Sequence, residues 1–133
     1  MYKRQVLDPY RFDVMVMGNL YGDIISDLCA GLVGGLGTVP GINVGDDIHV
    51  FEAIHGNAPE LVGQDQANPL PLLMPAVAML EHLGEEEAAG RIRAAVTTVL
   101  TEGKALTTDL GGGAGTSEMV AAIIAALPAA GGS

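Results

Sequence analysis

Residues 12–17 are almost entirely apolar, and after them Leu20, Ile24, Ile25, Leu28 and Leu32 recur at three- and four-residue spacing. The first pattern predicts a short, fully buried strand. The second predicts a helix opened by Gly22, with one apolar stripe facing a core. The helical pattern dissolves into Gly34, Gly35, Leu36 and Gly37, so residues 34–47 read as a glycine-rich loop. Residues 48–54 are a second strand candidate, and residues 55–68, with two glycines, Pro59 and several polar groups, a second loop. Three helices are expected beyond it. Residues 71–83 would turn Leu72, Leu73, Ala76 and Leu80 inward, with Pro75 removing a helical hydrogen bond unless it lies in the first turn. Residues 85–102 begin with three glutamates at the favourable end of the helix dipole and repeat Ala88, Ile92, Val96 and Val99. Residues 117–127 follow a loop of four glycines and one alanine, with Thr116 a candidate N-cap. Two strands leave unpaired backbone groups and need neighbours, so the pattern predicts an α/β unit belonging to something larger. Residues 1–5 carry no structural signature and read as an artefactual start, which leaves 6–133 as the body of a partial domain.

Composition narrows the chemistry. A chain of 133 residues holds one domain at most, and 49% hydrophobic content is enough to build a core, made of aliphatic side chains because aromatics are only 4%. Sixteen acids against six bases give a net charge of −10, with no basic stripe, so nucleic acid is not an expected partner. The longest apolar run, residues 69–80, contains three prolines and is too short to span a bilayer, and residues 1–5 lead into no signal-type segment. No membrane association is expected, and the protein reads as soluble and cytoplasmic. The single cysteine, Cys29, is most simply a small buried residue.

Asp23 and Asp27 stand four residues apart after the first strand candidate, which puts both carboxylates on one face of a helix. Like charges at that spacing repel by a few tenths of a kcal/mol, roughly, and a divalent cation between them would relieve the repulsion. A capping residue followed by a solvated charge accounts for the same pattern. The loop from His55 to Gly63 offers an imidazole at its mouth and the acid Glu60 at its turn. An acid in such a loop can accept hydrogen bonds from a ribose diol, and an ordinary surface loop with a satisfied histidine is the other reading. The glycine clusters do not match a dinucleotide fingerprint, since Pro40 and Thr116 fall where the third glycine is required. No P-loop and no zinc spacing occurs.

Phe12-Asp13-Val14, Asn19-Leu20-Tyr21-Gly22-Asp23-Ile24-Ile25-Ser26-Asp27, Gly34-Gly35-Leu36-Gly37, Pro40-Gly41, and His55-Gly56-x-Ala58-Pro59 with Asn68-Pro69 resemble the β-decarboxylating dehydrogenases. That family includes isocitrate, isopropylmalate, homoisocitrate and tartrate dehydrogenases, and the resemblance runs in order from about residue 6 to residue 124. It implies the C-terminal portion of the family's large domain, mostly helices packed on a few sheet strands. It implies that Asp23 and Asp27 bind Mg²⁺ or Mn²⁺, and that His55, Gly56, Ala58, Glu60, Leu61 and Asn68 line the adenosine end of the cofactor site, Asn68 near the adenine. NADP-using relatives carry a lysine and a tyrosine at the positions of Glu60 and Leu61, and a tyrosine and an arginine near Thr108 and Gly112. Their absence here implies NAD. Residues 27–37 and 106–112 look more like NAD-type isocitrate dehydrogenases than isopropylmalate dehydrogenases. The implied reaction is metal-dependent oxidative decarboxylation of isocitrate or a similar small 2-hydroxy acid, in a homodimer or higher homo-oligomer. The family's catalytic tyrosine and lysine, its substrate arginines and its third metal-binding aspartate lie upstream, so no catalytic residue is expected in this chain. The alternative is a non-catalytic nucleotide-binding or regulatory subunit.

Overall fold

The computed structural model describes residues 2–33, 35 and 39–129. Its helices are α1 (Tyr2–Leu7), α2 (Asn19–Leu32), α3 (Leu70–His82), α4 (Glu86–Glu102) and α5 (Thr116–Ala125). Between α2 and α3 lies one antiparallel hairpin, β1 (Gly41–Val44) and β2 (His49–Glu52), with Gly41 opposite Glu52 and Val44 opposite His49. Short 3₁₀ turns at Pro9–Arg11, Pro59–Leu61 and Thr108–Leu110 punctuate the loops. The chain is therefore α/β, with helices packed on a small sheet, as the sequence predicts. None of the described helices is long and apolar enough to cross a membrane.

The core is made by three helices. Leu70 of α3, Ala95, Val96 and Val99 of α4, and Met119 and Ile123 of α5 are all buried together, with Leu73, Met74 and Ile92 packed against them. On α4 the expected Val96 and Val99 are buried, while Ala88 and Ile92 are half-buried and Ala89 and Ala95 complete the stripe. On α3 the expected face is rotated. The helix begins at Leu70, so Leu70 and Val77 point inward and Leu72 is 67% exposed. Pro75 lies in the second turn, where it withholds the amide that would otherwise bond the carbonyl of Pro71, yet its ring is fully buried. The hairpin leans on the far end of α3, where the His82 ring lies 4.1 Å from that of His49 and 5.7 Å from that of Phe51.

The N-terminal third departs from expectation in several places. Residues 12–17 enter no sheet ladder among the described residues, and Val16 is 94% exposed rather than buried. A strand exists through its partners, and no described segment offers one. The structure opens α2 at Asn19, capped by Gly18, and not at Gly22. Of the predicted stripe only Ile25 is buried, with Leu28 half-buried and Leu20, Ile24 and Leu32 exposed. Residues 2–5, which carry no structural signature in the sequence, contribute to α1, which packs on α2 with Gln5 buried; Met1 lies outside the described residues. The expected loop at 34–47 contains β1, and its positions 34 and 36–38 lie outside the described residues.

The expected N-cap of α5 is also displaced. Gly115 takes the cap position and Thr116 is the first helical residue, its hydroxyl donating to the carbonyl of Ala67. The capping carboxylate comes from elsewhere. Asp65 Oδ1 accepts the Ser117 backbone N–H at 2.9 Å and the Ser117 hydroxyl at 2.7 Å, while the Asp65 carbonyl accepts the Thr116 N–H at 2.9 Å. Asp65 sits at φ 55°, in the left-handed region that aspartate tolerates better than most residues. Asp65→Ala should lower stability by about 1–2 kcal/mol, the usual cost of losing an N-cap, and Asp65→Asn by less because its amide oxygen still accepts. Chemical denaturation compares the three proteins, and equal midpoints would show that the tie is not structural.

Candidate functional site

A cavity of about 660 Å³ opens between the loop at residues 55–68 and the turn at Thr108–Leu110. Its walls include His55, Gly56, Ala58, Leu61, Asn68, Thr108 and Asp109. Five of the six residues expected around an adenosine thus line one space. Glu60 is the exception. It occupies the same 3₁₀ turn as Leu61 but is exposed and outside the lining.

Local backbone chemistry shapes this wall. Pro59 opens the 3₁₀ turn with its fixed φ, and Ala58, immediately before it, is held at φ 36° and ψ 64°. A left-handed alanine costs roughly 1–2 kcal/mol, so the fold must impose it. The Ala58 carbonyl then accepts the Leu61 N–H at 2.9 Å, and the His55 ring nitrogen Nδ1 donates to the Gly56 carbonyl at 2.6 Å. At the far end of the loop Asn68 is held on both sides of its amide. Its Oδ1 accepts the N–H of Leu70 at the start of α3, and its Nδ2 donates to Asp109 Oδ2, each at 2.9 Å.

Asp109 is the residue that sequence reasoning misses. Its neighbours Thr108 and Gly112 are conspicuous only as positions lacking basic and tyrosine groups, and the one signal for Asp109 is an acid following a threonine pair. Its Oδ1 accepts the hydroxyl of Thr107 at 2.6 Å, and Thr107 is completely buried. Partial burial pushes the Asp109 carboxyl up, but hydrogen bonds from Thr107, Asn68 and the backbone of Asp109 and Leu110 together outweigh it and hold it below its ordinary value. The turn is closed by Gly112 N–H bonding the Thr107 carbonyl at 3.0 Å and Ala114 N–H bonding the Leu106 carbonyl at 2.9 Å. A Cβ on Gly112 would stand 2.1 Å from the Leu106 carbonyl oxygen, so this backbone approach requires glycine.

The structure puts Asp23 and Asp27 in the second and third turns of α2, not its first turns. Both are exposed, and neither carboxylate accepts a hydrogen bond or pairs with a cation among the described residues. Two free carboxylates on one helix face suit a hard cation that keeps several waters. They are not a complete cage. No group of three or more candidate ligands occurs among the described residues. The cavity and the aspartate pair lie on different elements, α2 supplying one and the loops around α3 and α5 the other.

Comparison with known proteins shows the family to which the chain belongs. The family model for isocitrate/isopropylmalate dehydrogenase matches residues 1–123. The alpha chain of mitochondrial NAD isocitrate dehydrogenase from Macaca fascicularis is 54% identical over 114 residues, covering 85% of this chain and 33% of that protein. A regulatory subunit of mitochondrial NAD isocitrate dehydrogenase from Dictyostelium discoideum is 54% identical, with 85% and 32% covered. The crystal structure of isocitrate dehydrogenase from Methylococcus capsulatus superposes with a TM-score of 0.85 at 46% identity, over 94% of this chain and 38% of that one. The chain spans about a third of the length of the curated relatives it matches. Both of those relatives are mitochondrial, which overturns the expectation of a cytoplasmic protein; composition carries no address, and the lack of a signal-type segment at residues 1–5 is no basis for one. With nearly its whole length matched by the family model, the chain belongs to the isocitrate/isopropylmalate dehydrogenase family.

Proposed function

We propose that this chain supplies two half-sites to an oxidoreductase that converts isocitrate to 2-oxoglutarate with NAD. Residues 6–133 act as a partial large domain of the family fold. The observation that carries the reading is the convergence of His55, Gly56, Ala58, Leu61 and Asn68 on one cavity, since those positions lie in a segment with no dinucleotide fingerprint to bring them together. A mostly apolar hollow with a few fixed polar groups suits a flat nucleoside. His55, Gly56 and Ala58 would border it on one side and Asn68 on the other. Asp23 and Asp27 would hold Mg²⁺ or Mn²⁺ in the company of ligands from outside this chain. The chemistry those groups supply when bound is Lewis-acid charge stabilisation and hydride acceptance. This chain's own carboxylates act as fixed charges and move no proton. The relatives are named as subunits, which supports oligomeric assembly. Isopropylmalate, homoisocitrate or tartrate as substrate would leave the same two half-sites in place.

A second reading draws support from the similarity to a regulatory subunit. In that case the cavity binds a nucleotide without turnover, and the aspartate pair is not required for it. The two readings separate on the aspartates. In a full-length protein bearing this segment, Asp23→Asn or Asp27→Asn should lower turnover at least about a hundredfold, because a positioned charge stabiliser is typically worth ~3 kcal/mol in the transition state. Excess Mn²⁺ should recover part of the loss. Near-normal rates for both variants without added metal would sink the metal assignment.

Cofactor choice is tested separately. Glu60 is exposed beside Leu61, where a 2′-phosphate would meet its charge, so NAD should have the higher specificity constant and Glu60→Lys should narrow the gap. Steady-state kinetics with both dinucleotides decide this. A preference for NADP in the unmodified protein would refute it.

A further inference from the structure

We infer that His49 and His82 form a two-imidazole clip for a divalent transition-metal cation of the nickel or copper kind, which fastens the hairpin to the end of α3. Neither histidine lines the cavity, and Asp23 and Asp27 stand on another element, so the clip shares no residue with the two half-sites.

Side chains alternate along a strand, so His49 and Phe51 share one face of β2, and that face meets α3. His82 is the last residue of α3. Its ring centroid lies 4.1 Å from that of His49 and 5.7 Å from that of Phe51. No ring nitrogen of either histidine has a hydrogen-bond or ion-pair partner among the described residues. An apolar ring would supply the same packing without leaving polar atoms unpaired. The acids next to these histidines along β2 and α3 are already engaged. Glu52 accepts from Asn43 at 2.7 Å, and Glu81 pairs with Arg93 of α4 at 2.5 Å. Asp46 and Asp47, in the hairpin turn just before His49, are exposed and lend this end of the hairpin a negative charge that favours a cation.

Imidazole is a ligand that nickel, copper and zinc all accept. With metal–nitrogen bonds of about 2.1 Å, two imidazoles at a right angle on one ion have centroids about 4.5 Å apart, and at the tetrahedral angle about 5.2 Å. The observed 4.1 Å is nearer the first arrangement, which belongs to square and octahedral ions. Small torsional changes in the two side chains open the remaining few tenths of an ångström, roughly, to the bond lengths an ion requires. His49 is half-buried and His82 exposed, so the ion arrives from solvent, and water fills the positions that no third ligand among the described residues supplies. One donor comes from the hairpin and the other from α3. The ion therefore binds the docked hairpin alone and stabilises that docking by mass action.

The test is calorimetric titration of Ni²⁺ into a full-length protein bearing this segment, in excess Mg²⁺ to occupy oxygen-ligand sites. Thermal unfolding with and without Ni²⁺ is measured alongside. His49→Phe and His82→Phe keep a ring in the contact and remove the donor. Each should weaken one Ni²⁺ site per chain at least about tenfold, since even the indirect partners of a metal ligand are worth that much. Each should also lose the rise in melting temperature that Ni²⁺ gives the unmodified protein. His82→Gln, at an exposed position, should show the same loss without adding apolar surface. His55→Ala should leave the site intact, because that ring belongs to another loop. Absence of Ni²⁺ binding by the unmodified protein, or equal affinity in the variants at both positions, would overturn the clip. Loss on changing only one of His49 and His82 would overturn it too, by showing a single imidazole at work.

Discussion

The loop at residues 55–68 depends on two aspartates. It has one short 3₁₀ turn and otherwise lacks repeating structure, so its backbone is fixed largely from outside. Asp65 ties it to the first turn of α5, and Asp109 ties Asn68 to the turn before α5. Both ties cross more than forty positions of sequence, at separations of 52 and 41 residues. They convert the packing of α3, α4 and α5 into a defined wall. The helices bury Leu70, Val96, Val99, Met119 and Ile123 without specifying any ligand, whereas the carboxylates specify where the loop lies upon them. Hydrophobic burial is non-directional, and charge-assisted hydrogen bonds are directional. The cavity needs both.

Much of the helical half could be read directly. A 3.6-residue period, glycine terminators and acidic first turns locate α4 to within a residue, because α4 is long and its stripe unbroken. The rotation of α3 could not be read. Leu70, Leu72, Leu73, Met74 and Val77 offer more apolar positions than one face needs, and the helix start at Leu70, set by the Asn68 side chain bonding its N–H, selects among them. The hairpin was half legible for a similar reason. Residues 41–44 mix Gly, Asn and two β-branched side chains, and only the pairing with residues 49–52 makes them a strand. The aspartate pair on α2 and the loop residues were visible as motifs. Asp65 and Asp109 were not, since a cap and a carboxamide lock are defined by partners distant in sequence.

The N-terminal third obeys a different constraint. The apolar pattern at 12–17 and along α2 is that of buried elements, and in this chain much of it faces outward, with Val14 83% and Val16 94% exposed. Isolated exposed apolar residues are ordinary, but a strand-forming run beside an exposed helical stripe is not. The same helix carries Asp23 and Asp27 with no third ligand among the described residues. Both deficits, of sheet neighbours and of ligands, fall in one region, and relatives about three times as long supply more chain for each. A metal site at such an edge, as proposed for Asp23 and Asp27, would couple assembly to chemistry, because the cage would close only when the remaining ligands arrived.

The turn at residues 106–115 bears on the proposed choice of cofactor. Its close approach, Gly112 beneath the Leu106 carbonyl, leaves 2.1 Å where a Cβ would stand. Any side chain at position 112 would have to push the two arms of this turn apart, disturbing the Gly112 and Ala114 hydrogen bonds that hold Thr107 in its buried position. Thr107 in turn supports Asp109. A basic group at 112 that reached for a 2′-phosphate would therefore loosen the lock on Asn68 unless the whole turn were rebuilt. The proposed NAD preference then rests on two independent physical grounds: the charge of Glu60, and a backbone too tightly closed to carry an arginine.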